Sequence, residues 1–500
     1  MNANLYALLR AHFPESAEQP CLMIPDGRVV HYDELDAMSA RIAHALAAAG
    51  AKRGDRVAVQ VDKCWEALAL YLACLRAGFI YLPLNTGYQK SELSYLYGDA
   101  EPSVIVCGPQ SAERTAALRP EAQVLTLEPG KGTLLDRADD QPTTFDTVTS
   151  KPDDVAAILY TSGTTGRPKG AMLSHRNLAS NALTLVEHWG FTRGDVLLHA
   201  LPIYHVHGLF VACHCALLSA GRMLWLPRFD AAEVARLLPH ATVMMGVPTY
   251  YSRLLADQSF GTEACRTIRV FISGSAPLLS ETFNDFAART GHAIVERYGM
   301  TETGMNTSNP LDGERRCGSV GVALPGVSVR VVGADGATCA PGEVGDIEVK
   351  GPNVFAGYWR MPDRTREEFT DDGYFRTGDV GEMAADRYLR IVGRAKDLII
   401  TGGLNVYPKE IEERIDALPG VAESAVIGVA DPDFGEAVTA VVVAKAGYVL
   451  REAEIVAVLK QEMAGFKVPK RVYVVDELPR NAMGKVEKNV LRERYPATRS

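Results

Sequence analysis

Residues 161–169 read TSGTTGRPK, a run with no large side chain except Arg167. Thr161, Ser162, Thr164 and Thr165 offer hydroxyl donors, Gly163 and Gly166 let backbone approach a ligand closely, and Lys169 brings a positive charge. That mixture suits a polyphosphate, whose oxygens N–H and O–H groups can wrap while a lysine offsets charge. The run is not a Walker loop, because no G-x-x-x-x-G-K-[ST] occurs in it. A lone Gly/Ser/Thr loop is usually a flexible turn; this one follows an apolar run at 155–160 that reads as a buried strand.

Other stretches hold side chains able to do chemistry beside an ordinary local reading. PIYHVHG at 202–208 sets His205 and His207 around a valine, and paired histidines are more often structural than catalytic. SGSAPL at 273–278 follows a strand. Its small Gly274, Ser275 and Ala276 would let a flat ring lie against backbone, and the same residues make a tight strand-to-helix turn. Thr301-Glu302 reads locally as a helix N-terminus. Asp379, in Thr377-Gly378-Asp379, is a pure acceptor when ionised. Gly402 and Gly403 permit close passage of a slim ligand arm or, equally, a strand-to-helix turn. Lys485, near the C-terminus, would by itself be a solvated charge. Cys213-His214-Cys215 lies in the apolar run GLFVACHCALL and is too tightly spaced for a usual zinc pair, so buried reduced thiols are expected.

The elements that must position these residues alternate. Residues 1–20 read as a short helix and connector, and 21–31 as a hairpin turning at Pro25-Asp26-Gly27. An amphipathic helix at 33–49, with Leu35, Ile42 and Leu46 on one face, ends at Gly50. Strand 56–61, helix 64–77, strand 80–84 and strand 104–107 follow, predicting βαβ units and a mostly parallel sheet. After the Gly/Ser/Thr run, a short strand at 171–173 leads to a helix opened by Ser174. Strand 195–200, helix 208–220, strand 222–226, helix 230–238 and strands 242–247, 269–273 and 293–298 extend the pattern. From 320 to 392 the texture is strand and turn, with Asp335-Gly336 and Pro341-Gly342 as turn signals. Beyond 393–397 come strand 398–401, helix 408–418, strands 424–429 and 437–444, helix 451–464 and strand 470–475, a compact α+β unit. The fold class is therefore α/β: a large N-terminal domain of βαβ-layered sheets (1–393) with a β-rich subdomain, and a small α+β C-terminal domain (398–500).

Five hundred residues exceed one ordinary core, which agrees with that division. A net charge of −9 without a local basic stripe argues against nucleic acid as a partner. Nine scattered cysteines, an odd count with no C-x-x-C, do not form a disulfide framework. No signal-peptide core and no 18-residue apolar run is present, so no membrane insertion and a cytoplasmic location are expected.

The 159–175 stretch LYTSGTTGRPKGAMLSH resembles the phosphate-binding signature of the adenylate-forming superfamily, which includes acyl-CoA synthetases, luciferase-like enzymes and peptide-synthetase adenylation domains. PIYHVHG, SGSAPL, ERYGMTE (296–302), TGD, TGGLNVYPKE (401–410) and PRNAMGK (479–485) follow in family order over nearly the whole chain. The resemblance implies ATP, Mg2+ and coenzyme A as cofactors or substrates. It gives Thr161, Ser162, Gly163, Thr164, Thr165, Gly166 and Lys169 to the phosphates, and Gly274, Ser275, Ala276, Tyr298 and Gly299 to the adenine side. Thr301 goes to the α-phosphate, Glu302 to the metal, and Asp379 with Arg394 to the ribose. It also implies that residues 394–397 form a hinge at Lys396, that Gly402 and Gly403 line a pantetheine tunnel, and that Lys485 is catalytic, leaving the small domain mobile. Acylation of Lys485, as in related bacterial enzymes, would make a lysine acetyltransferase a partner.

The implied reaction joins a carboxylate to a thiol through an acyl-AMP. His205, His207, Ser275 and Arg297 fall at the acid pocket. Most of the family has an uncharged residue before the Tyr-Gly pair, and a buried guanidinium is costly without a partner. A second substrate carboxylate would supply one. This departure, with PIYHVHGLF and FISGSAPLL, resembles the malonate-activating branch, so malonate is expected, with methylmalonate tolerated. Three alternatives stay open. Arg297 could pair with Glu296 over a medium-chain or aryl monocarboxylate, the chain could be a stand-alone adenylation enzyme loading a carrier-protein thiol, or it could be an idle binding module.

Overall fold

The computed structural model describes residues 2–16, 18–161, 168–401, 404–431, 434–481 and 484–495. The alternation of the first three hundred residues builds two large sheets. A six-stranded sheet runs in the order Gln123–Thr126, Val104–Cys107, Arg56–Gln60, Ile80–Pro83, Val155–Thr161, Lys169–Ser174. All neighbours are parallel except the last pair, where Val155–Thr161 and Lys169–Ser174 lie antiparallel and register Thr161 against Lys169.

The nine-stranded sheet has a parallel centre: Pro20–Met23, Arg222–Trp225, Val196–His199, Val243–Gly246, Val270–Ser273 and Val295–Met300. Antiparallel strands finish both edges: Val29–His31 on one side, Gly304–Ser308 and Val322–Ala323 on the other. The expected hairpin at 21–31 thus exists and is recruited as one edge of this sheet. Its buried central strands are near-continuous apolar runs, as strands covered on both faces must be.

Helix Trp65–Ala77 is buried along all 13 of its residues, and a helix apolar all round belongs between layers. Its Tyr71 packs against Tyr81 of the six-stranded sheet and Phe210 beside the nine-stranded one. One continuous core joins both sheets through this helix.

The strand-and-turn region forms a four-stranded antiparallel sheet, Ser328–Val332, Val344–Lys350, Phe375–Met383, Leu389–Arg394. A single 3-10 turn, Ala395–Asp397, separates it from a last sheet with its own apolar core. There Ile399–Thr401, Leu404–Val406, Gly435–Ala444, Val421–Asp431 and Arg471–Val475 carry helices Pro408–Asp416 and Glu452–Glu462. Strand Leu404–Val406 and the terminal helix Lys488–Arg494 carry too short a pattern to be read from sequence.

Two local expectations are corrected. Thr301-Glu302 does not open a helix: it lies in the turn between the antiparallel strands Val295–Met300 and Gly304–Ser308. A Cβ on Gly299 would stand 2.0 Å from the Gly304 carbonyl oxygen, so the hairpin is possible only because that position is glycine. The helix expected at 208–220 begins as a π-helix, His207–Cys213, before continuing as His214–Leu218. Among the described residues no helix is long and apolar enough to cross a membrane.

Candidate active site

The chemically able residues gather at the carboxyl ends of the parallel strands, where open α/β sheets bind ligands. Strand Val155–Thr161 delivers Thr161, Val196–His199 leads into the 200–208 loop, Val270–Ser273 into Gly274-Ser275-Ala276, and Val295–Met300 carries Arg297, Tyr298 and Gly299. The two sheets meet where the Thr161 hydroxyl donates to Glu302 Oε1 at 3.3 Å. Tyr358 also donates to that oxygen, at 3.1 Å, and holds the Lys169 ammonium 4.1 Å from its ring centroid. Lys169 Nζ pairs with Glu368 at 3.2 Å. Tyr358 and Glu368 were not legible in the sequence, since neither lies in a recurrent motif and both reach the site from nearly two hundred residues away.

Asp379 and Arg394 are cross-strand neighbours in the four-stranded sheet, joined Nε to Oδ1 at 2.6 Å. The Tyr298 hydroxyl donates to Asp379 Oδ2 at 2.5 Å. Both carboxylate oxygens therefore have one protein donor, and each keeps lone-pair capacity for a further one.

Arg297 is 3% exposed, and its Nε and Nη2 are buried without hydrogen-bond partners. It does not pair with Glu296. Adjacent strand residues face opposite sides, and Glu296 Oε1 accepts instead from the Leu278 N–H at 3.3 Å. The titration behaviour agrees. Burial pushes Glu296 up to about 7 and Arg297 down to about 9, whereas a pair would hold each other charged. A Cβ on Gly274 would come within 2.4 Å of Arg297 Cζ. Gly274 thus leaves the space that the guanidinium fills, and a side chain there would displace it, a role its sequence context did not suggest.

Ser275 is held at φ +73° and its hydroxyl lies 3.3 Å from His207 Nδ1. A serine in the left-handed region costs of order 1 kcal/mol and persists only where its surroundings fix it. His205 and His207 are neutral. Burial is the first cause for both; Lys485 and Arg297 then add to it for His205, bringing it to about 3, and Arg297 adds to it for His207.

Lys485 comes from the last sheet's side of the molecule. A Cβ on the preceding Gly484 would lie 3.3 Å from Thr249 Oγ1, just past strand Val243–Gly246, so this loop abuts the nine-stranded sheet. Lys485 is an exposed residue, yet protein is packed around its side chain. Burial first, then the cations Arg394 and Arg297, lower it to about 8 against the opposing pull of Asp379 and Glu302. Residues nearly two hundred positions apart thus share one electrostatic field.

Lys396 is exposed in the 3-10 turn, and the adjacent Asp397 pairs with Arg492 of the terminal helix at 2.8 Å. Ser162, Gly163, Thr164, Thr165 and Gly166, and Gly402 and Gly403, lie outside the described residues. Cys213 and Cys215 are buried free thiols, and no group of three metal-ligating side chains occurs among the described residues.

Layers in this order, with a small α+β part closing over their carboxyl-edge cleft, define the fold of the adenylate-forming enzymes. The chain belongs to the AMP-binding enzyme family, which matches residues 10–359, with the AMP-binding enzyme C-terminal domain at 410–485. It is similar to ATP-bound MatB from Rhodopseudomonas palustris, 55% identical over 99% of both chains with a TM-score of 0.97. Against apo MatB the score falls to 0.85 at the same identity and coverage, so the chain shares the overall arrangement of the ATP-bound form more closely. Malonate–CoA ligase ACSF3, mitochondrial, of Mus musculus is 38% identical over 84% of this chain and 78% of its own. Feruloyl-CoA synthase of Amycolatopsis sp. is 37% identical over 94% of both.

Proposed function

We propose that the chain is an AMP-forming acyl-CoA synthetase that joins malonate to coenzyme A, tolerating methylmalonate. The observation that carries the acid is Arg297, a buried guanidinium with two unpartnered nitrogens. Identity to these two curated relatives alone does not choose the acid, because the feruloyl-CoA synthase and the malonate–CoA ligase are nearly equally similar. A buried cation does choose, since it needs an anion and a monocarboxylate spends its only one on the reaction.

One carboxylate oxygen attacks the α-phosphorus of ATP, forming malonyl-AMP as pyrophosphate leaves. The sulfur of coenzyme A then attacks the acyl carbon, giving up its proton, and AMP leaves. The distal carboxylate takes the bidentate face of Arg297, beside the neutral His205, His207 and the Ser275 hydroxyl. Asp379 and Arg394 hold the ribose, Tyr298 and Gly274 to Ala276 border the adenine, and Thr301 bonds the α-phosphate. Thr161 to Lys169 hold the β- and γ-phosphates. Lys485 sets a cation between the attacking carboxylate and the α-phosphate, offsetting their repulsion in the transition state.

Glu302 is the residue that would hold Mg2+. Its buried carboxylate has two neutral hydroxyl donors, Thr161 and Tyr358, which fits an ion held by one carboxylate and substrate phosphates. The ion supplies charge neutralisation at the leaving pyrophosphate.

Residues 1–393 and 398–500 are the two domains, hinged at Lys396 in 394–397. The lone 3-10 turn between two sheets supports this. Rotation there withdraws Lys485 and brings Gly402 and Gly403 to the thiol. A cytoplasmic setting fits the substrates. Acylation of Lys485 by a lysine acetyltransferase would remove its charge and stop the first step.

With malonate and ATP, AMP should appear on adding coenzyme A; AMP release dependent on a carrier protein instead would point to the adenylation-enzyme alternative. A pH prediction follows from Lys485. Its folded-state pKa is lowered to about 8, so its charge is present below that pH and lost above it. The kcat/KM of adenylation should fall as pH rises through about 8, while thioester formation from supplied malonyl-AMP should not fall with it. A parallel fall in both would contradict the assignment.

A further inference from the structure

Lys63 and His199 belong to none of the motifs. Lys63 follows strand Arg56–Gln60 of the six-stranded sheet, and His199 ends strand Val196–His199 of the nine-stranded one. Lys63 Nζ donates to His199 Nδ1 at 2.7 Å and to the His199 carbonyl oxygen at 2.8 Å. The amine also lies 4.2 Å from the Trp225 ring centroid. Among the described residues no carboxylate contributes to its electrostatics.

His199 is 1% exposed, and its Nε2 lies 2.8 Å from the Gly208 carbonyl oxygen and 3.3 Å from Cys213 Sγ. The carbonyl can only accept, so Nε2 carries the hydrogen. In a neutral imidazole Nδ1 must then accept, and Lys63 must be its donor. Burial first, and then the neighbouring Lys63 amine, keep the ring neutral; burial also pushes Lys63 itself well below the ordinary lysine range, and the amine donates in either charge state. The tautomer therefore follows from the partners.

This path closes the loop that bears the acid-pocket histidines. His199 and Gly208 are its two ends, the Leu209 N–H donates to the His205 carbonyl at 3.0 Å, and His207 reaches Ser275. The loop then enters a π-helix, a feature frequent at functional sites.

We propose that Lys63 and His199 are positioning residues for the acid: the Lys63–His199–Gly208 relay fixes the 200–207 loop and with it His205 and His207. The proposal rests on reading that cleft as the acid site. It joins the two large sheets at the loop's base without touching the nucleotide side.

The test is steady-state kinetics of pyrophosphate release by the full chain, with thermal unfolding of each variant. Lys63→Met keeps the aliphatic stem and removes the donor; His199→Leu removes both ends of the relay. Each should raise the KM for malonate about tenfold with the KM for ATP unchanged, alongside a modest fall in the unfolding midpoint from the lost buried hydrogen bond. His199→Gln, which retains one acceptor and one donor, should stay within about threefold of the parent. An unchanged acid KM in both disrupting variants, or acid and ATP KM rising together, would overturn the proposal. Should the parent prefer a monocarboxylate, the malonate reading fails, and the same KM split measured with the preferred acid still decides the relay.

Discussion

Lys485→Ala is expected to leave an enzyme that converts supplied malonyl-AMP and coenzyme A into malonyl-CoA at close to the parent rate, yet scarcely makes malonyl-AMP. Adenylation should fall by about a hundredfold to a thousandfold or more, the range for removing one preorganised charge or donor at a transition state. In the structure Lys485 stands within the field of Arg297, Arg394, Asp379 and Glu302, with its loop against the segment at Thr249. Its depressed pKa is the signature of that crowding. A lysine only decorating the surface would have kept its ordinary value, and its loss would have changed neither step. Half-reactions assayed separately decide the matter: equal loss in both would mean that Lys485 serves the fold or both conformations alike.

Arg297→Met is expected to cut kcat/KM for malonate by about a hundredfold to a thousandfold, since a carboxylate entering the pocket would be left buried and unpaired. Activity with butyrate should hold or rise. The same change should raise the unfolding midpoint in the absence of substrate. The guanidinium is 3% exposed with two unpartnered nitrogens, and replacing a buried uncompensated charge with an apolar chain of similar length is stabilising. Gain in stability with loss in activity is the pattern of a site strained for binding. Steady-state kinetics and thermal unfolding check both halves. A variant that loses stability and all activity together would show that Arg297 supports the fold.

The motif residues were legible because their chemistry is local. A strand, a Gly/Ser/Thr run and a lysine lie within fifteen residues, and the register of Thr161 against Lys169 follows from the antiparallel return. Most strands and about half of the helices of the first three hundred residues could be placed because apolar period and glycine punctuation agreed; helices such as Lys90–Ala100 and Ser280–Thr290 were not. Contacts made by the fold across long sequence separations were not legible. Glu302 reads as a helix start until the strand after Gly304 is seen to pair back. Gly274 reads as a ring platform until Arg297 is found where its Cβ would be. Tyr358, Glu368, Lys63 and His199 carry no pattern of their own and acquire meaning only from partners on other sheets. The left-handed Ser275 was likewise invisible, since nothing in its local sequence calls for a positive φ.

Arg297 choosing the acid is tested most directly by offering the unaltered enzyme malonate, acetate, butyrate and benzoate in turn, with pyrophosphate release as the readout. Malonate should show the highest kcat/KM, by about a hundredfold over acetate, as expected for a charge-paired bidentate contact that the monocarboxylates cannot make. A higher kcat/KM for butyrate or benzoate than for malonate would contradict it.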